Sequence, residues 1–361
     1  MDIKGHIKCV IKYKTYLNEP LKCYDFASFD INESSAACFV DDNGYLCAVS
    51  KWVSPKRTRS YPYERVYNTL DYPKRIAVIP IVKDEGLKGD RDFIQWDTVS
   101  LMSLLGVYVI LSYYCDAVAK NQKITNQKFD NDYIKLKIKE IEECHSSALH
   151  WNLEELKNLS KLVEKSKKSY AIIESESGVA LHSAKGLDDF QNRIDIELCE
   201  FMNFSRTKAQ KAQLRELNVI QPKESLTTIS KARITISNHL GGLYYFTVDE
   251  TLVKRDTLFL IESKHTRSAI LPSKSDIKDG LLKMILYSNL RDITVSGKAL
   301  NSVAVLNLTS SKIAGKLSSN QGDNQNFAKQ NSLSNADKKL IEGVFEEAQK
   351  NGFTVSIRNA Q

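Results

Sequence analysis

Glu262 and Lys264 stand two residues apart at the end of an otherwise apolar run, TLFLIESKH, Thr257 to His265. In an extended strand alternate residues share a face. Leu258, Leu260, Glu262 and Lys264 therefore form one row, and Thr257, Phe259, Ile261 and Ser263 form the other. Both rows are largely apolar over their first half, which predicts a central strand covered on both sides. One row turns from leucine to a carboxylate and an ammonium at its carboxyl end, where open α/β sheets place their ligand clefts. Asp249 lies thirteen residues before Glu262, a separation that a hairpin can close. Two carboxylates brought together repel and resist ionisation. A hard divalent cation removes that penalty, and Mg2+ takes one or two carboxylates plus the phosphate oxygens of a substrate. An ammonium beside it can hold or activate a water and offset charge building on phosphorus, which is the chemistry of phosphoryl transfer.

These residues need elements to hold them. The second half of the chain predicts a helix from Asp188 to Phe204 and a further one around Ser225 to Ile236. Strand LYYFTVDE, strand TLFLIESKH, helix SDIKDGLLKMILYSNL, strand SVAVLNLT, helix ADKKLIEGVFEEAQKNG and strand FTVSIR follow. That order is a three-layer α/β pattern. LYYFTVDE is expected to pair with TLFLIESKH across a turn near Val253 to Arg255, a register that needs a bulge to bring Asp249 to Glu262. Asp256 is a rival for the first carboxylate, but six residues of strand, ~20 Å, separate it from Glu262. A cation whose ligands lie at about 2.1 Å cannot bridge that span. The polar tract from Ser310 to Asn331 reads as a long loop. In the first half, CVIKY, ACFV, YLCAVSKWV and RIAVIPIV read as strands, with DDNG at Asp41 to Gly44 as a hairpin turn. Helices are expected over Trp96–Lys120, Asp132–Cys144 and Leu153–Lys168. No internal repeat is visible.

A carboxylate, then E-x-K, on a hairpin followed by helix, strand and helix resembles the PD-(D/E)XK nuclease superfamily, over roughly residues 185–358. Val248 stands before Asp249 where the family pattern has proline. The resemblance implies an α/β fold: a three-layer nuclease core with a mixed central sheet in residues 181–361, plus an N-terminal β/α region, residues 1–180, that helps contact DNA. It implies Mg2+ held by Asp249 and Glu262, with Lys264 positioning the attacking water. It also implies a further acidic ligand from the helix before the hairpin, where Glu197 and Glu200 stand. A basic protein of this length with an accessory region is most similar to a type II restriction endonuclease, hydrolysing double-stranded DNA at specific sites. Cutting both strands takes two sites or two successive nicks, and a homodimer is the expected source of the second site. A repair or structure-specific nuclease is the alternative within the enzymes. A non-catalytic DNA-binding protein, with a structural charged strand end, is the alternative outside them.

Two basic segments are candidates for DNA contact. The first holds Lys51, Trp52, Lys56, Arg57, Arg59 and Arg65 with tyrosines interleaved and two prolines. Cations neutralise phosphates, and Arg and aromatics read or wedge base edges. The second holds Arg206, Lys208, Lys211 and Arg215. GDRDFIQWDT brings Asp90, Asp92 and Asp97 close together but lacks the ligand spacing of an EF-hand, so Asp97 is expected to cap a helix.

The bulk numbers agree with such a partner without requiring it. Among 361 residues the net charge is +7, which favours polyanions. At 42% hydrophobic and 26% charged residues, the chain can bury a full core. Seven cysteines form no CxxC pair and read as reduced, buried thiols. MDIKGHIK lacks the apolar core of a signal peptide, and LLGVYVILSYYC, the longest apolar run, is too short to cross a bilayer and reads as a buried helix. A cytoplasmic protein with no membrane partner is expected. GxGxxG, GxxxxGK[ST], GxSxG and HExxH are all missing from the sequence, which argues against a nucleotide cofactor and against serine-hydrolase or zincin chemistry.

Overall fold

The structure is a computed structural model and describes residues 1–55, 60–196, 203, 207, 210–211, 232–322 and 324–360. It is mixed α/β with several sheets, and divides into two compact units: Met1–Glu19 with Thr207–Gln361, and Pro20–Arg206. A division at residue 180 is therefore not what is observed. The first strand, β1 (Asp2–Ile7), folds with the C-terminal half of the chain.

The Pro20–Arg206 unit carries β2 (Lys22–Asp25), β3 (Ala37–Asp42), β4 (Tyr45–Lys51), β5 (Arg75–Pro80), β6 (Val82–Asp84), β7 (Arg91–Phe93), β8 (Tyr108–Ser112), β9 (Tyr114–Lys120) and β10 (Lys123–Phe129). Its helices are α1 (Ser60–Tyr67), α2 (Trp96–Leu104), α3 (Asn131–Glu143), α4 (Ala148–Lys157), α5 (Leu159–Ser177) and α6 (Lys185–Ile196). Asn43 and Gly44 turn β3 into β4 with φ of 51° and 93°, the left-handed pair that a two-residue hairpin favours. β3 and β4 are antiparallel, and β4, β5 and β8 then run parallel.

Several expected elements are different here. The helix predicted over Trp96–Lys120 stops at Leu104, because Gly106 takes a left-handed φ of 68° just beyond the cap. The apolar run after it is the buried strand β8, as its β-branched and aromatic residues favour. Asp97 does not cap α2; Gln95 holds that position, and Asp97 lies buried in the first turn. CVIKY is not a strand. Cys38 and Cys47 are buried, but Cys9, Cys23 and Cys115 are exposed. Among the described residues no helix is long and apolar enough to cross a membrane.

The unit built from both chain ends continues with β11 (Ala232–Asn238), where a helix was expected, then β12 (Leu243–Val248), β13 (Glu250–Lys254) and β14 (Thr257–Thr266). Helix α7 (Lys274–Ser288), β15 (Arg291–Val295), β16 (Lys298–Ala299), β17 (Asn301–Ser310) and β18 (Lys316–Ser318) follow. Helices α8 (Asn324–Gln330) and α9 (Asn335–Asn351) and strand β19 (Thr354–Asn359) complete it. The polar tract expected as a loop thus holds β18 and α8, anchored by buried Leu317 and Phe327. One sheet has the order β12-β11-β1-β15-β16, with β1 parallel to β11. The other has the order β13-β14-β17-β19-β18, in which β14, β17 and β19 are parallel and β13 is antiparallel to β14. A hairpin followed by two parallel strands thus occurs once in each unit.

Local signals explain the ends of α9. Ser334 and Asp337 form a capping box, and Gly352 closes the helix at φ 72°. The buried Glu347 of α9 ties down the N-terminal segment, accepting from the Tyr13 hydroxyl at 2.6 Å and the Tyr16 amide at 2.9 Å. Helix α7 packs closely on the second sheet through Gly280. A Cβ there would lie 2.7 Å from Leu306 Cδ1 and 3.3 Å from Lys264 Cε. Gly→Ala in an open helix stabilises by about 1 kcal/mol, whereas overpacking costs about 1–3 kcal/mol. Gly280→Ala is expected to lower stability in chemical denaturation; a rise would show that the contact yields freely.

Candidate functional site

The site begins at a bend. β12 ends at Val248 in one sheet, and β13 starts at Glu250 in the other, with Asp249 between them. β12 pairs with β11 and not with β14, so the single long hairpin expected from the sequence is replaced by a shorter one. That hairpin turns at Arg255 and Asp256, with Arg255 at φ 52°, between the paired Lys254 and Thr257. Its register runs to Glu250 opposite Ile261. Asp249 comes next, in the bend before the hairpin; its Oδ2 accepts from the Ser263 amide at 2.9 Å, and its charge acts on the Glu262 carboxyl. Asp256 sits at the other end of the strand, exposed and 3.1 Å from Lys298 Nζ.

Glu262 is only 1% exposed, yet two lysines reach it. Lys283 Nζ lies 2.8 Å from Oε1 and donates to Oε2 at 2.9 Å. Lys264 Nζ lies 3.1 Å from Oε1 and donates to Asp279 Oδ2 at 2.6 Å. Asp279 and Lys283 share one face of α7 at i and i+4, and the close approach at Gly280 lets that face reach β14. Burial pushes the Glu262 carboxyl upward, Lys283 pulls it down, and Asp249 pushes it up again; the result stays above the ordinary value. Burial is the largest influence on both ammonium groups and draws them down, but the neighbours together outweigh it: Glu262, Tyr287 and Asp249 at Lys283, Glu262 and Asp279 at Lys264, so both are held above the ordinary lysine range. Removing one partner of such a buried network costs about 3–5 kcal/mol, because a charge is left uncompensated.

Asp249 and Glu262 are the residues that could hold a small hard cation. They offer carboxylate oxygens, the one or two that Mg2+ takes from protein when substrate oxygens supply the rest. Among the described residues no group of three or more His, Cys, Asp or Glu could hold a metal ion. The donors thus fit a shared protein–substrate site and not a closed protein cage.

Asp279 and Lys283 were not singled out in the sequence, although a signal was present. From Ile277 to Tyr287 every residue of α7 except Lys283 is buried, so an acid and a base four apart in that run mark a charged interior. His265 lies on the opposite row and bonds Thr309 through Nδ1 at 3.0 Å.

The DNA-contact candidates fare differently. Lys51 is turned inward, its ammonium donating to the carbonyls of Ile31, Asn32 and Ser34 at 2.7, 3.2 and 2.9 Å. Trp52 is fully buried, and Arg65 is half-buried with Nη1 donating to the Lys51 carbonyl at 2.6 Å. Lys51 and Arg65 thus serve carbonyls that the ladder leaves over, and Trp52 packs in the core. Lys211 is exposed. Lys56, Arg57, Arg59, Glu197, Arg206 and Lys208 lie outside the described residues. β4 also ends in Ser–Lys, one residue nearer its turn than in β14, but Val49 precedes that pair where β14 has Glu262.

No known protein family, curated protein or solved structure matches the chain. The site is therefore defined by its own geometry.

The inward position of Lys51 has a measurable consequence. A hydrogen bond to a charged group contributes about 1.5–3 kcal/mol. Lys51→Met is expected to destabilise the protein by at least that much in urea, while the salt dependence of any polyanion binding stays as it was. A reduced salt slope at unchanged stability would return Lys51 to the surface role.

Proposed function

We propose that the protein is a Mg2+-dependent nuclease that hydrolyses phosphodiester bonds of double-stranded DNA. The observation that carries this reading is the buried Glu262, with Asp249 bonded to the amide of the next residue, Ser263, and the Lys264 ammonium 3.1 Å from Glu262 Oε1. Asp249 and Glu262 would hold the cation. Bound there, it would neutralise phosphate charge and acidify a water. Lys264, oriented by Asp279, presents a fixed ammonium that can hold the attacking water and offset the charge growing on the phosphate oxygens. The net charge of +7 suits a polyanionic substrate. Recognition of a specific site, as in a restriction enzyme, and pairing of two chains to cut both strands extend the same proposal.

One observation favours a second reading. Both Glu262 oxygens already have ammonium partners, so the network could serve only to fasten α7 to the sheet of a non-catalytic DNA-binding protein. Plasmid nicking with and without Mg2+ separates the two. The wild-type protein should nick only with Mg2+. Glu262→Gln and Lys264→Gln should each lose at least about a hundredfold in rate while shifting DNA as before. Asp249→Asn should be inactive and Asp256→Asn active. A folded Glu262→Gln that cuts at the wild-type rate rules out the assignment, and a wild-type protein that binds without cutting favours the structural reading.

A further inference from the structure

We propose that Lys283 is the resident counter-cation of this site: its ammonium occupies the Glu262 carboxylate while no divalent ion is bound, and must leave it when one binds. Lys283 would then set the threshold for cation binding without touching substrate. This rests on the nuclease reading and adds a control on its cation.

The geometry is that of a substitute ion. Lys283 Nζ sits 2.8 and 2.9 Å from the two Glu262 oxygens, whereas Lys264 reaches only Oε1, at 3.1 Å, and has Asp279 as its closer partner at 2.6 Å. Of the two lysines, Lys283 is the one given over to Glu262. A carboxylate 1% exposed cannot stay charged without a neighbouring positive charge. Lys283, one turn beyond Asp279 on α7, supplies it while no divalent ion is bound. A divalent ion at the same oxygens competes with that ammonium, because two positive charges cannot share one carboxylate closely without repulsion. Lys283 has somewhere to go: its side chain is 25% exposed, against 2% for that of Glu262. An ammonium on a flexible four-carbon stem can swing toward water.

The test is a Mn2+ titration followed by electron paramagnetic resonance and, separately, by thermal unfolding. Wild type should bind Mn2+ weakly, and Glu262→Gln should not bind it. Lys283→Met should bind at least tenfold more tightly than wild type and be less stable than wild type without the ion. Its unfolding midpoint should rise more on adding Mn2+. If Lys283→Met folds only in the presence of Mn2+, that outcome also supports the proposal, since the ion then does the lysine's work. Lys283→Arg, which keeps the charge, should bind no better than wild type. If wild type binds Mn2+ through Glu262 but Lys283→Met binds equally or less tightly, the counter-cation role is overturned and the nuclease reading stands. If neither wild type nor Lys283→Met binds Mn2+, both fail.

Discussion

A buried carboxylate needs a positive charge beside it, and the central sheet of the terminal unit is arranged around that need at Glu262. The residue is almost wholly removed from water, so its charge is bearable only because Lys283 and Lys264 approach within hydrogen-bonding distance. Both lysines then need to be held. Lys264 is held by Asp279, and Lys283 by its place on α7. The helix comes near enough because position 280 has no side chain. Asp249 completes the arrangement from the bend between β12 and β13, and its like charge makes the demand at Glu262 greater. A fold that keeps three carboxylates and two ammonium groups together in a largely buried setting incurs a desolvation cost that apolar residues of the same volume would avoid. That cost is the physical reason for looking to chemistry.

Much of this was legible in the sequence. The switch from leucine to Glu and Lys along one row of TLFLIESKH gives the strand, its burial and the direction of both side chains, because strand periodicity is short-range and strict. Asp249 as the partner of Glu262 was legible only in part. The observed route differs from the expected one, since the chain changes sheets at Asp249 and the hairpin begins one residue later. Which sheet a strand joins depends on non-local pairing, which spacing does not carry. The placement of β1 beside β11 is hidden for the same reason. Lys51 and Trp52 misled because composition near prolines suggests an exposed loop, while hydrogen bonding to spare carbonyls is a property of the folded neighbourhood. Lys283 and Asp279 were readable from an acid and a base four apart among the apolar residues of α7, a signal easily taken for an ordinary solvated face.

The two units share one motif, a hairpin running into parallel strands, but not the same end. β4 closes with Val49, Ser50 and Lys51, and β14 carries Glu262, Ser263 and Lys264 two residues before its end at Thr266. With valine in place of the acid, Lys51 finds backbone carbonyls instead of a carboxylate. Fold alone does not assign function, and these two strand ends illustrate it within a single chain.

The central claim is that Asp249 and Glu262 together hold a divalent cation. Diffraction from crystals grown with Mn2+, recorded at the manganese absorption edge, tests it most directly. The account predicts an anomalous peak between the two side chains, with oxygens of both at about 2.1 Å and the Lys283 ammonium displaced from Glu262. A well-ordered site in saturating Mn2+ with no peak there, and with Lys283 still on both Glu262 oxygens, would contradict it.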